Sequence, residues 1–422
     1  MRALTMKIAE FTSISDENKR TLGLFIKIER ESQELSQKEL INDADQKQIC
    51  SVSTLHRIET GQIIKDDVIY HELIQRLGYS FKENARLDKV LPDLNQQCLH
   101  YFETLDLSEA EMILDRVHAL FKTSSFYYDQ LKQCYLDLIN ANLNKEKLSD
   151  SKYQWYRMMR NVVPNPLNVL LLHLCFCHSM NYLRNLNEII SYEKDLEFCN
   201  RYLLVKFDLL YVLKYKRNYI KLIELINEVR EECEMKNLPN QQLKCLAFLV
   251  GTACIINTFD IHSAICELEK FIMENKNKLN PEILNNGYYT LAMTYYEDLR
   301  NYTKALEMFQ SLLVLNPLKI YSCGLFYFTC CDYLKIEPDS KILKSIDTRQ
   351  ADLFLQYFIY KYSSKSTMKD LGNYINKTLL PELKKEKRPM IISVFKKQWG
   401  FILEKDHNKY YKPFYDFVRE FE

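Results

Sequence analysis

Glycine and proline are scarce in this sequence. It has 8 glycines and 10 prolines in 422 residues, well below the usual shares of about 7% and 5%. Sheet proteins need many turn residues, so this scarcity argues against a sandwich or barrel and favours long helices joined by short connections. We therefore expect an all-α protein.

Long apolar runs and an excess of either charge are also missing. No apolar run reaches the roughly 20 residues of a membrane span, and residues 1–15 lack the basic-then-apolar pattern of a secretion signal. Lysine and arginine number 57 against 56 acidic residues, so the chain as a whole has no general attraction to polyanions. The 13 cysteines are scattered, as in reducing compartments where thiols act as small hydrophobic groups. These features predict a cytoplasmic protein that does not enter a membrane.

The motifs of common enzyme classes are absent as well. We find no Walker-type glycine loop and no His-Glu-x-x-His helix. Cys175, Cys177 and His178 lie close together in the sequence, but on a helix the two cysteines point about 200° apart. A second ligand pair at zinc-finger spacing is also missing. We therefore expect no enzymatic activity, no cofactor and no metal.

The most informative pattern lies between residues 21 and 81, after a polar leader at 1–20. Helical spacing of apolar residues predicts a first helix near residues 22–30. Ser36 and Glu39 form the capping box of a second helix. Ser51 is a good N-cap for a third helix that ends before Gly61. A fourth helix follows, so this region is predicted to be a small helical domain.

These residues resemble the helix-turn-helix domain of the phage-repressor (Cro, XRE) type. The likeness is carried by Leu35-Ser36-Gln37 with Leu40, and by Ser53-Thr54-Leu55, Arg57-Ile58-Glu59 and Gly61. The preceding Ile49-Cys50-Ser51 is similar to the peptide-pheromone receptors of the RRNPP class, which includes Rgg, PlcR and NprR. The resemblance implies that the third helix reads DNA in the major groove.

The same resemblance assigns roles to individual residues. The base-facing positions would be Val52, Ser53 and Arg57, and the phosphate-facing positions Gln37, Ser51 and Thr54. Arg30 and Glu59 match a buried ion pair that is common in the repressor fold. One departure concerns residues 43–48, which make the connection between the second and third helices several residues longer than usual. This longer connection affects how the third helix would dock on DNA.

Charge supports the alternative that this domain is a small bundle without DNA-binding activity. Residues 1–80 hold eleven basic and thirteen acidic residues, whereas DNA-binding domains are usually basic. A dimer, however, needs few phosphate contacts per half-site, and helix N-termini supply some of them. We therefore favour DNA binding.

The rest of the chain repeats. Residues 82–98 predict a linker helix interrupted by Pro92, and residues 99–422 predict a domain of helix pairs. The second helix of each pair is expected to begin at Leu107, Leu148, Leu186, Tyr219, Ile261 and Tyr302, with spacings between 33 and 42 residues. The best copy, at residues 286–317, resembles a tetratricopeptide repeat (TPR). We therefore predict a right-handed TPR-like α-solenoid, with an irregular all-α domain as the alternative.

A concave face lined by the first helices of a solenoid suits an extended peptide, because its apolar and amide side chains can hold both side chains and backbone. In the resembled receptors, asparagines on this face bind the peptide backbone, which favours Asn181 and Asn286 here. Lys206 would be available for a carboxylate. The full set of predicted peptide-binding residues is His173, Asn181, Lys206, Phe248, Thr252, Asn286, Tyr289 and Tyr296.

The combined prediction is a cytoplasmic transcription regulator of the quorum-sensing kind. It would bind a double-stranded DNA operator, respond to a short signalling peptide and form a homodimer through its repeat domain. Two alternatives stay open: a protein-interaction adaptor, and a Rap-like modulator of a response-regulator phosphorelay. Specific retention on DNA would separate the regulator from the adaptor, and loss of phosphate from a response regulator would favour the modulator.

Overall fold

The structure is a computed structural model that describes residues 13–42, 48–122, 125–144, 146–256, 260–363, 366–386, 388–405 and 407–421. Helices account for 76% of the chain, and no strand occurs within these ranges. The protein is therefore all-α, as the scarcity of glycine and proline predicts. Most of the leader (residues 1–12) and most of the longer connection (residues 43–47) lie outside the described residues.

The chain forms two compact units, Met1–Gln242 and Leu243–Glu422. The first unit contains α1 (Asp16–Ser32), α2 (Gln37–Ile41), α3 (Val52–Glu59), α4 (Asp67–Arg76), α5 (Ala85–Thr104), α6 (Leu107–Leu120), α7 (Tyr128–Leu143), α8 (Asp150–Met159), α9 (Leu167–His178), a π-helical turn (Ser179–Leu183), α10 (Leu186–Ser191), α11 (Glu193–Phe198), α12 (Leu203–Tyr215) and α13 (Tyr219–Met235). No helix in the described ranges is long and apolar enough to span a membrane.

The later helices begin with α14, which starts at the end of the first unit. They are α14 (Pro239–Ala253), α15 (Ile261–Asn275), α16 (Pro281–Glu297), α17 (Tyr302–Leu315), a 3₁₀ turn (Pro317–Lys319), α18 (Ile320–Leu334), α19 (Ser340–Ser345), α20 (Leu353–Lys361), α21 (Met368–Tyr374), a π-helical turn (Ile375–Leu379), α22 (Leu380–Glu386), α23 (Pro389–Lys405) and α24 (His407–Arg419).

Several helices begin where the repeat spacing predicts the second helix of a pair. The exception is α8, which begins two residues after Leu148. Local apolar runs and their caps therefore decide where these helices start. The matching first residues are Leu107, Leu186, Tyr219, Ile261 and Tyr302.

The repeated tripeptide Arg-Asn-Tyr takes the same conformation in both copies. Arg217 and Arg300 have φ angles of 56° and 51°, in the left-handed region. Asn218 and Asn301 then occupy the N-cap positions of α13 and α17. A left-handed residue ends one helix and an asparagine begins the next, so three residues build the turn between paired helices.

The helix after the N-terminal domain differs from its prediction. α5 runs without a break through Pro92 to Thr104, beyond the predicted linker. Pro92 lies on the exposed side of α5. Proline has no backbone N–H, and the loss of this hydrogen-bond donor is most easily tolerated on the solvent side of a helix. The opposite side of α5 is buried, and the helix packs against α6, α9 and α12. α5 is therefore part of the body of the first unit.

Candidate functional site

α3 turns one side to solvent and the other to α1 and α2. Its N-cap Ser51 accepts a hydrogen bond from the Thr54 amide at 3.1 Å, and the two hydroxyl oxygens lie 2.9 Å apart. Leu55 and Ile58 are fully buried on the inner side. The outer side presents Ser53, His56 and Arg57. α3 is thus a short capped helix with an anchored apolar side and a polar outer side.

A buried ion pair anchors the end of α3. Arg30 donates from Nε to Oε1 of Glu59 at 2.6 Å and from Nη2 to Oε2 at 3.1 Å. Both residues are buried, with exposed fractions of 8% and 3%. Arg30 also donates to the Leu35 carbonyl, and Gln37 donates from Nε2 to Glu59 at 2.6 Å. One carboxylate therefore joins α1, the start of α2 and the end of α3.

A glycine allows α1 and α3 to approach closely. A Cβ atom on Gly23 would lie 2.2 Å from the carbonyl oxygen of Ile58. Carbon and oxygen atoms that are not bonded need more than 3 Å, and a backbone oxygen cannot rotate away as a flexible side chain can. Gly23 therefore allows the short distance between α1 and α3 and so helps to fix the position of α3 on α1.

The predicted DNA-contacting side chains are partly engaged within the protein. Gln37 donates one side-chain N–H group to Glu59, but a side-chain amide has two N–H groups. Arg57 donates from Nε to Gln62 Oε1 at 3.0 Å, while its Nη atoms have no partner among the described residues. Of the other predicted contacts, Ser51 and Ser53 are exposed, and Val52 and Thr54 are half-buried.

The N-terminal helices also pack against the body of the first unit. Phe25 of α1 meets Tyr127 edge to face, with ring centroids 5.0 Å apart. Trp155 of α8 donates from Nε1 to Glu29 Oε1 at 3.1 Å, and the Tyr79 hydroxyl donates to Oε2 at 3.1 Å. α1 therefore belongs both to the core beneath α3 and to the contact with α8.

Within the first unit, His173 forms an ion pair. Its Nδ1 lies 2.7 Å from Oδ2 of Asp208. Burial alone lowers the pKa of His173, but the Asp208 carboxylate and Cys177 outweigh it and raise the pKa to about 10. The ring also packs edge to face on Phe102 of α5, with centroids 5.6 Å apart. His173 therefore joins α9, α12 and α5 through an ion pair with Asp208 and a ring contact with Phe102.

The donor atoms of Cys177, His173 and Asp208 lie within 4.8 Å of one another. The Cys177 sulfur is 3.7 Å from Nδ1 and 3.5 Å from Nε2 of His173. Because these distances are nearly equal, the sulfur lies beside the ring and not along the lone pair of Nε2. A metal shared by nitrogen and sulfur, or proton transfer from thiol to imidazole, requires that lone-pair direction. The cluster therefore fits an ion pair next to a thiol better than a metal centre or a nucleophile.

Replacing Asp208 with asparagine should destabilise the protein in a pH-dependent way. The folded pKa of His173 is raised, so the pair stabilises fully below the unfolded pKa of about 6.5 and this contribution disappears as the pH rises through about 10. We expect a loss of about 1.5–3 kcal/mol near pH 6, shrinking towards pH 10. Urea unfolding at pH 6, 8 and 10 measures it.

Asp195→Asn is the matched control, because Asp195 pairs with Arg160 and is half exposed. It should cost less than about 1 kcal/mol. A pH-independent loss in Asp208→Asn would show that His173 is not charged in the folded protein.

α5 covers helices that carry predicted peptide-binding residues of the first unit. It packs along α9 and α12, which hold His173 and Lys206. Its last turn accepts hydrogen bonds at the Phe102 carbonyl from Gln241 at 2.9 Å and at the Thr104 carbonyl from Asn240 at 2.9 Å. The protein's own helix therefore occupies the surface that His173 was expected to offer to a peptide.

The structure places Lys206 and Asn181 in different surroundings. Lys206 donates to Glu228 at 2.6 Å and to Glu232 at 2.7 Å, so its charge is already paired with two carboxylates. Asn181 lies exposed in the π-helical turn after α9, where its carbonyl accepts a hydrogen bond from Arg184. Of these two residues, only Asn181 keeps an accessible side chain.

The other predicted peptide-binding residues lie in the second unit. Thr252 is buried, and its hydroxyl donates to the Phe248 carbonyl at 2.7 Å, so neither residue offers a free polar group. Asn286, Tyr289 and Tyr296 share one side of α16, since their spacing brings them onto adjacent turns. Asn286 is exposed, Tyr289 is 37% exposed and Tyr296 is 7% exposed.

A cavity of about 640 Å³ opens beside Tyr289. Phe326 of α18 and Leu355 of α20 line it, together with Met390 and Ile391 at the start of α23. The charged residues Asp352 and Arg388 also belong to the lining. Its volume lies in the range of about 300–1,000 Å³ that is typical of ligand sites. This side of α16 therefore borders a cavity with a mostly apolar lining, and Asn286 is exposed on the same side of the helix.

No local sequence pattern predicts that the charged residues Asp208 and Lys397 lie at these sites. Asp208 lies 35 residues from its partner His173, and Lys397 meets the Tyr296 ring from a distant helix. Local patterns do not reveal such pairs, because only folding brings these helices together.

No family model, no curated protein and no solved structure matches this chain.

Proposed function

We propose that this protein is a sequence-specific DNA-binding transcription regulator whose repeat body binds a short signalling peptide. The observation that carries the proposal is the setting of α3. Its buried side is fixed by the Arg30–Glu59 pair and the contact at Gly23, while Ser53 and Arg57 face solvent. A helix that is held rigidly and presents a polar outer side is what reading base edges requires. α1–α4 would then be the helix-turn-helix domain.

The second unit supports the peptide part of the proposal. The side of α16 that carries Asn286 and Tyr289 borders the cavity described above. An amide can hold peptide backbone, and an apolar cavity can accept a side chain. The first unit supports this part less, because α5 covers His173 and Lys206 is already paired. We therefore assign the peptide to the second unit, on TPR-like helix pairs.

Repressor-type domains read two half-sites about 34–36 Å apart, so we propose that the regulator acts as a homodimer. The N-terminal helices use Phe25 and Glu29 to pack on the body, which leaves them little apolar surface for a partner. The dimer contacts would then come from the repeat body.

The test of DNA binding uses the full chain and a random pool of DNA duplexes, with bound sequences recovered and read. A defined operator should emerge, and Arg57→Ala should weaken binding to it by about 1–3 kcal/mol while relaxing the preference at one base position. Lys27→Ala is the control, because Lys27 is an exposed cation on α1. Recovery of no common sequence, or an Arg57→Ala variant with parental affinity, would contradict this assignment of α3.

A further inference from the structure

The second unit contains a lysine surrounded by aromatic rings. Lys397 Nζ lies 4.9 Å from the centroid of the Tyr333 ring and 5.6 Å from that of Tyr296. Tyr302 stacks on Tyr333 with centroids 4.0 Å apart, and Phe326 meets Tyr296 at 5.3 Å. The faces of the Tyr333 and Tyr296 rings attract the cation of Lys397.

Lys397 has no acidic partner in the part of the chain that the structure describes. Among the described residues, no carboxylate lies within ion-pair distance of Lys397 or of Arg300. Arg300 lies two residues before Tyr302, whose ring stacks on the Tyr333 ring that faces Lys397. Burial first and Arg300 second lower the pKa of Lys397. Glu297 and Asp298 precede Arg300 in the chain, yet neither forms an ion pair with it in the described structure. Lys397 is half-buried and its positive charge is opposed by that of Arg300, so a bound anion would stabilise it.

A buried hydroxyl lies at the same place. The Tyr296 hydroxyl is buried and makes no hydrogen bond of ordinary geometry with the described residues. Its neighbour Thr329 already donates to the Leu325 carbonyl at 2.7 Å. Thr329 is a side-chain neighbour of the Tyr296 hydroxyl, but their contact lacks ordinary hydrogen-bond geometry. A buried hydroxyl in this state costs stability, so Tyr296 can donate to a ligand oxygen instead.

Lys397, Arg300 and Tyr296 together form a group that we call the cationic cluster. This cluster lies at a fixed distance from the cavity beside Tyr289. Tyr289 lines the cavity and Tyr296 lies in the cluster, seven residues further along α16. Met390 and Lys397 have the same separation on α23. Seven residues of helix span about 10 Å, which equals about three residues of an extended chain.

We propose that the second unit binds an acidic peptide, with a carboxylate on Lys397, Arg300 and the Tyr296 hydroxyl and an apolar side chain about three residues away in the cavity beside Tyr289. This inference rests on the proposed peptide-binding function and narrows its ligand class. The carboxylate belongs to an Asp or Glu side chain or to the peptide's C-terminus. Lys397 and Arg300 take the role that the sequence suggested for Lys206.

The test incubates the full-length protein with two pools of random seven-residue peptides, one with free and one with amidated C-termini. Bound peptides are identified by mass spectrometry, and the best is titrated by calorimetry. We expect recovered peptides to carry an acidic group about three residues from an apolar one. Recovery from the amidated pool identifies a side-chain carboxylate, whereas recovery from the free pool alone identifies the C-terminus.

Single substitutions then test whether Lys397 and Arg300 bind the carboxylate of the selected peptide. Lys397→Gln and Arg300→Gln should each weaken the selected peptide by about 10- to 100-fold, and Lys397→Arg should keep most of the affinity. Arg300 is exposed, so its variant reports on binding without a risk to folding. Lys396→Gln is the matched control, because this neighbouring lysine lines a different surface, near Lys384 and Glu420.

The outcomes separate the two proposals. Peptides recovered without acidic bias, or bound equally well by Lys397→Gln and Arg300→Gln, would overturn the acidic subsite and leave peptide binding intact. Recovery of no peptide from either pool would overturn the peptide function, and the subsite with it.

Discussion

Glu59→Ala should cost the N-terminal helices about 3–5 kcal/mol, because it leaves a buried arginine without its partner. Arg30 is 8% exposed and makes two hydrogen bonds to Glu59. The Leu35 carbonyl and Glu31 remain as partners, but they do not replace a buried carboxylate. Gln37 would lose its acceptor as well. Operator binding should be lost with the ordering of α3.

Native-state hydrogen exchange on the full chain measures this effect, since peptides from α1 and α3 report their own opening free energy. The control is Glu31→Ala. Glu31 also contacts Arg30, at 3.3 Å, but its side chain is 40% exposed, so its removal should cost less than about 1 kcal/mol. Equal exchange in the two variants would show that the Arg30–Glu59 pair contributes no more than a surface contact.

Gly23→Ala should have the second large effect. The added methyl group would meet the Ile58 carbonyl at 2.2 Å, so α1 and α3 must separate. Overpacking usually costs about 1–3 kcal/mol, and we expect the upper end here because the obstacle is backbone. Separation also moves α3 relative to the Arg30–Glu59 pair. Operator affinity should therefore fall together with protection of α3 from exchange.

Gly400→Ala controls for the general effect of the substitution. Gly400 lies inside α23, and an added Cβ would meet nothing within 4 Å. Alanine is the better helix former by about 0.5–1 kcal/mol, so this variant should be neutral or more stable. If Gly23→Ala behaved like Gly400→Ala, the close contact between α1 and α3 would not limit the position of α3.

The N-terminal helices show which structural features local sequence patterns predict, namely helix caps and buried positions. Ser36 and Glu39 form a capping box in the structure, and Ser51 caps α3, as their spacing predicts. Leu55 and Ile58 are buried because they recur at helical spacing next to polar residues. Caps and periodicity act within a few residues, so the sequence alone reveals them.

The surroundings of the predicted ligand-binding residues depend on distant segments, because those segments decide which side chains are buried and which charges are paired. Periodicity identified the side of α16 with Asn286 and Tyr289. It did not reveal that Glu228 and Glu232 pair with Lys206, or that α5 packs on His173. A helix's own sequence shows which side is apolar, but it does not show which neighbour covers that side.

By itself, the sequence determined the helical class, the starts of many helices and the turns built by Arg-Asn-Tyr. Each of these follows from interactions among residues fewer than about five positions apart. The tertiary structure alone decided which charges are paired, that α5 continues through Pro92 into the body, and that Lys397 lies among tyrosines from other helices. Such contacts join residues far apart in the chain, and the packing of whole helices selects them.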